Sequence, residues 1–196
     1  MRAEAEIIQS AFPLEARKNV DSLLTKFTVE TKHSTKGAEV VAVGNEVAEI
    51  PSRIYYNPPY ALSDSKFTNA EREILSCIFS RHHNGFVRQK AIQNILASNS
   101  YWTTPYIVMA MGEYVVEILS DIDNNFEAID RVNLISFIRQ NPKFYSRTCS
   151  RISSYWGCYY RQQFPEKRNG IRVAKEERYV GFRLLDRIDK LVNDDR

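Results

Sequence analysis

From Phe67 to Val192 apolar residues return every three or four positions, and each run is closed by a short polar joint. A chain with that period has to form helices and bury one face of each against another. The first start signal is Thr68-Asn69-Ala70-Glu71, a capping box in which the Thr hydroxyl and the Glu carboxylate each accept from the other's backbone amide. Ile74, Leu75, Ile78 and Phe79 then make one apolar face. His83-Asn84-Gly85 should break this helix, because Asn and Gly tolerate the left-handed turn that ends helices. A second helix is expected over 86–97, with Val87, Ala91, Ile92, Ile95 and Leu96 inward.

Thr104-Pro105 opens a third helix, Thr as cap and Pro in the first turn. Its period (Val108, Met111, Val115, Ile118, Leu119, Ile122) runs through Gly112. A mid-helix Gly costs about 1 kcal/mol against Ala, so close approach by a neighbouring helix is expected there. A fourth helix over 126–139 carries Ile129, Val132, Ile135 and Ile138 until Asn141-Pro142 stops it. A fifth covers 143–164, a charged loop follows, and a sixth covers 175–192, burying Tyr179, Phe182, Leu185, Ile188 and Val192. The fold class expected is mainly α: a six-helix bundle or short helical-repeat body over 67–196.

Residues 1–66 read as an extension packed on that body. Leu14–Phe27 has a helical period, and 28–36 is polar and loop-like. Two β-prone runs, Glu39–Val43 and Glu46–Ile50, flank Gly44-Asn45 as a small hairpin. Arg53–Tyr56 is a candidate third strand, and Tyr55–Tyr60 a tether holding the hairpin to the helices. A hairpin alone is marginal in water, so it should pack on the helices.

Residues 74–96 resemble one unit of a HEAT or armadillo type helical repeat. The likeness lies in Ile74-Leu75-Ser76-Cys77-Ile78-Phe79, a short polar turn, then Val87-Arg88 and Ala91–Leu96. In that family the Val-Arg pair opens the second helix, and its Arg often meets an acidic turn residue of the neighbouring unit. Here the turn has His82, His83 and Asn84 where the family usually places Asp, and no second Val-Arg copy follows some 40 residues later. The resemblance implies helix-pair packing.

No P-loop, GxSxG or dinucleotide fingerprint occurs. The three cysteines form no CxxC, each sits in an expected helix as a small hydrophobe, and no cofactor or metal is implied. The N-terminus is acidic where a signal peptide is basic, and no run approaches a membrane span. The expected setting is cytoplasmic. His82 and His83 are candidate metal ligands or bases beside Glu113 and Glu117, which one helix face would share. Read structurally, they complement a helix end.

The stronger candidate site is basic. Between Lys143 and Lys175 eight Lys/Arg face one acid, Glu166, so this segment carries +7 while the rest of the +3 chain carries −4. Arg147, Arg151, Arg161, Lys167, Arg168 and Arg172 suit phosphates or an acidic partner, and Tyr155, Trp156 and Tyr159 suit base stacking. Arg147 and Arg151 are four apart, with Ser154 next on their stripe. The same tyrosines and tryptophan also suit a core that arginine stems cover from outside. Two functions follow: a non-enzymatic protein–protein interaction module, or a nucleic-acid-binding protein using this basic, aromatic segment.

Overall fold

The computed structural model describes residues 4–27, 37–57 and 66–195. The chain is mainly α, with a small antiparallel hairpin near its start. Two helices come first, α1 (Glu4–Ser10) and α2 (Leu14–Lys26), then strands β1 (Ala38–Val43) and β2 (Glu46–Pro51). Seven helices follow: α3 (Asn69–Phe79), α4 (Gly85–Ile95), α5 (Thr104–Met111), α6 (Val116–Asn124), α7 (Arg131–Gln140), α8 (Pro142–Tyr155) and α9 (Val180–Asp194). Strands β3 (Lys167–Arg168) and β4 (Ile171–Arg172) make a two-residue hairpin between α8 and α9.

Helix α5 is the centre. Its sequence TPYIVMAM is apolar all round, and every residue of it is buried, as a helix without a polar face requires. Helices α4, α6, α7 and α8 surround it, and α4, α6 and α9 lie side by side as one row. Buried residues of α1, α2 and both long strands join the helical residues in one continuous core. The expected helix over 104–122 is in fact two. Gly112 caps α5, its N–H bonded to Met109 O, and the chain turns before α6. The neighbour expected at Gly112 is present: a Cβ there would lie 3.3 Å from Thr148 Cγ2 on α8.

The Thr68 capping box forms as the sequence dictates. Its Glu71 also accepts from Lys26 Nζ at 2.7 Å and from Ser22, tying α2 to α3. Asn84 plays a different part from the one expected: at φ −79 it is not left-handed but caps α4, accepting from Phe86 N–H. Val132 is also not inward; it stands 78% exposed on α7.

The hairpin pairs Val41 with Ala48 and turns at Gly44, whose φ of 63 is the left-handed geometry such a turn needs. Its β1 edge is held by Asn141, whose side chain accepts from Ala42 N–H and donates to Ala42 O at 2.8 and 2.9 Å. Arg53–Tyr56 makes no third strand: Ile54 forms a single parallel bridge to His82. The expected tether runs beyond the described residues at 58–60, and the expected loop over 28–36 lies outside them. In its described part Tyr56 is buried, its hydroxyl donates to Glu4 of α1, and its carbonyl oxygen meets His82 Nε2 between α3 and α4.

At the start of α9, Gly181 sits against α8. A Cβ there would fall 2.7 Å from both Ile152 Cγ2 and the Tyr179 ring, side chains that are themselves buried. Gly181→Ala should therefore cost about 1–3 kcal/mol through overpacking, a fall in Tm of roughly 2–4 °C per kcal/mol for a chain of this size. Gly157→Ala, where nothing lies within 4 Å of the added carbon, should leave thermal unfolding in place; equal losses for both variants would contradict the packing described.

Candidate functional site

The turn between α5 and α6 places Glu113 inside the protein and Tyr114 at its surface. Glu113 meets three arginines from three other parts of the chain. Arg53 donates to both carboxylate oxygens at 2.8 Å, Arg88 Nη2 to Oε2 at 3.2 Å, and Arg81 Nη1 approaches Oε1 at 3.4 Å. Arg81 and Arg88 are as buried as the carboxylate, whereas the Arg53 side chain is 30% exposed. Other donors go to backbone oxygens: Arg88 reaches the carbonyls of His82 and His83, and Arg81 those of Pro51 and Ser52, while Arg88 Nε is buried with no partner among the described residues. Burial works to raise the Glu113 carboxyl, but the Arg53 hydrogen bonds and the three positive charges outweigh it and hold the group below the usual range. Burial pulls Arg81 down to about 10, which leaves it charged at neutral pH.

The histidines do not join this carboxylate. His82 Nδ1 accepts from Asn84 N–H at 3.1 Å, so the ring's proton sits on Nε2 and is donated to Tyr56 O at 2.9 Å. Burial lowers the His82 pKa below its ordinary value, which keeps the ring neutral in that position. His83 is exposed and stacks on Tyr55 at 5.3 Å. Glu113 and Glu117 share no helix face, because the break at Gly112 lies between α5 and Glu113. Glu117 lines a shallow groove of about 490 Å³ with His83, Phe86 and Val115. Among the described residues no three His, Cys, Asp or Glu gather as metal ligands would.

The nine basic and aromatic candidates fall into three places. Arg147, Arg151, Tyr155 and Tyr159, each four residues after the last, line one side of α8 and its continuation, and Ser154, three after Arg151, stands exposed. Arg147 and Arg151 each place one Nη2 on Glu39 of β1, at 2.6 and 2.7 Å, and stay 51% and 40% exposed. The Glu39 carboxyl is held low: burial opposes this, but the hydrogen bonds from Arg151 and Arg147 prevail. Trp156 and Arg161 lie elsewhere. Trp156 is half-buried beside Phe182 and donates to Phe164 O, with the Arg161 guanidinium 5.8 Å from its ring. Lys167, Arg168 and Arg172 stand exposed on the β3–β4 hairpin, where Arg168 pairs with Glu177.

Beyond Tyr155 the helix widens into a π turn, Trp156–Tyr160, a form that recurs at functional sites. It keeps Tyr159 beside Tyr155, with ring centres 6.2 Å apart and planes at 30°. Tyr114 adds a third ring, 5.9 Å from Tyr155 and 6.4 Å from Tyr159. Tyr159 is 66% exposed and Tyr114 46%. Their neighbour Tyr160 is different in kind: it stacks on buried Tyr179 at 5.2 Å and donates to Tyr114 O, so it belongs to the body. Tyr114 was hidden from sequence reasoning, because a continuous helix over 104–122 gives no reason to single it out. Cys158 in the π turn is exposed, so it is not the small buried hydrophobe the sequence suggested; Cys77 is buried and Cys149 half-buried.

Comparison of the chain with family models, characterised proteins and solved structures finds no match. No described helix is long and apolar enough to cross a membrane.

Removing one partner of a buried ion cluster leaves the other charges uncompensated, at a cost of about 3–5 kcal/mol. Glu113→Ala should lose stability of that order in urea unfolding at pH 7. Because the folded-state pKa of Glu113 is depressed, its contribution is present above the ordinary carboxylate value of 4.5 and is lost as pH falls through the folded value. Wild-type stability should therefore fall more steeply below pH 4.5 than that of Glu113→Gln; parallel pH profiles would contradict the assignment.

Proposed function

We propose that this chain is a non-enzymatic interaction module that holds an acidic macromolecular partner on the face of Tyr114, Tyr155, Tyr159, Arg147 and Arg151. The observation that carries the reading is the trio of mutually contacting tyrosines, two of them turned to solvent, beside an excess of positive charge. In the ion pairs of this region five guanidiniums share the two carboxylates Glu39 and Glu113, which leaves three positive charges. Large exposed rings beside arginine are what binding surfaces concentrate, because they offer contact area at small entropic cost.

A helical-repeat scaffold is part of the same proposal. Supporting it, α4, α6 and α9 lie in a row, and Arg88 of the Val-Arg pair crosses from α4 to Glu113 in the turn of the next helix pair. A reducing, cytoplasmic setting is proposed as well, on the strength of three unpaired cysteines, one of them exposed.

The test is a panel of polyanions (polyglutamate, heparin and oligonucleotides) titrated at low salt against wild type and the triple variant Arg147→Ala, Arg151→Ala, Tyr159→Ala. At least one polyanion should bind wild type, with affinity for the triple variant reduced about ten-fold or more, since the lost contacts together are worth over 1.4 kcal/mol. If every polyanion treats the two proteins alike, the face is not the binding surface.

A further inference from the structure

We infer that the partner of this face is single-stranded nucleic acid, its bases stacked on Tyr159 and Tyr114 and its phosphates held by Arg147, Arg151 and Arg53. The inference rests on the reading of the tyrosine–arginine face as the binding surface, and it adds the chemical class of the ligand.

The rings decide the class. An acidic peptide would engage the arginines but has no flat surface to lay on a tyrosine. Every nucleobase has one, and base-on-aromatic stacking tolerates any sequence. In a duplex the base faces are covered by their neighbours, so duplex offers only its phosphates to such a surface. The folded body does not need these rings outside: Tyr160 and Tyr179 already supply the stacked pair that joins the π turn to α9. The Tyr159 hydroxyl makes no hydrogen bond among the described residues, so no polar contact explains where its ring stands.

The charges lie where a backbone would run. Arg147 and Arg151 precede the two tyrosines on the same stripe of α8, and each spends one nitrogen on Glu39 while the rest of the group meets solvent. Arg53 is the part-exposed member of the Glu113 cluster, and Tyr114 follows Glu113 directly in the chain. The neighbouring aromatic ring and guanidinium are thus the two parts that sequence-tolerant single-strand binding combines. Tyr159 follows Tyr155 by four residues, so the two rings share one face through the π turn.

The experiment is fluorescence anisotropy of labelled oligo-dT and oligo-rU of about 12 nucleotides, within the footprint usual for such surfaces, against full-length protein. A duplex of the same length and polyglutamate of equal charge serve as comparisons. Single strands should bind more tightly than both. Affinity should fall with salt at a log–log slope of about −2, as expected when three phosphates are neutralised. Tyr159→Ala should weaken single-strand binding roughly 5- to 100-fold, the range for loss of one stacked base. Tyr159→Phe should retain binding and Tyr159→Leu should lose it, which separates stacking from mere apolarity. With Tyr159 so exposed, circular dichroism should show all three variants folded. If polyglutamate binds as well as the oligonucleotides, or Tyr159→Ala binds them like wild type, this inference fails while the acidic-partner reading stands. If duplex matches single strand, stacking is overturned and only charge remains. If no polyanion binds, both readings fail together.

Discussion

One buried carboxylate holds together parts of the chain that have little else in common. Glu113 stands in the turn between α5 and α6, yet its partners come from the segment after the hairpin, the end of α3 and the first turns of α4. Two of the guanidiniums that reach it also tie down backbone carbonyls: those of His82 and His83 through Arg88, and those of Pro51 and Ser52 through Arg81. Buried carbonyls need such partners, and charged donors make the stronger bonds. Around this point the N-terminal extension, the first helix pair and the second helix pair become one body. The cost is three positive charges near one negative charge in a poorly hydrated place, which the ion pairs and the bonds to backbone carbonyls offset.

The same node sets the candidate face. By ending α5 at Gly112 and turning Glu113 inward, the chain turns Tyr114 outward against Tyr155 and Tyr159. Further back along the same stripe of α8, Glu39 of the hairpin does for Arg147 and Arg151 what Glu113 does for Arg53: it fixes the arginines without cancelling them. The surface charge there is therefore ordered as well as positive, and ordered charge beside rigid rings binds at small entropic cost.

Much of the scaffold was legible in the sequence. The capping box at Thr68, the turn at Gly44-Asn45 and the joint at Asn141-Pro142 are local devices, and each forms where its residues stand. The break at Gly112 was hidden for a physical reason. Met111, Val115 and Ile118 keep a helical period across it, so the apolar pattern continues while the hydrogen-bond ladder stops. Glu113 and Tyr114 vanished into that imagined helix. The four-residue spacing of Arg147 and Arg151 is legible in the sequence, but their pairing with Glu39 spans 108 residues and more, which no local pattern reports. Trp156 and Arg161, read with that stripe, are drawn to the other side by Phe164 and Phe182.

The measurement closest to the central claim is the coupling between Arg53 and Glu113, obtained from a double-mutant cycle of Arg53→Ala and Glu113→Ala in urea at pH 7. If the buried carboxylate organises the fold, the two changes are strongly non-additive, with a coupling of about 1–3 kcal/mol. The exposed pair Arg139–Asp195, 45% and 51% accessible, supplies the comparison, because solvent screens such pairs. A coupling at Arg53–Glu113 no larger than at that surface pair would contradict the account.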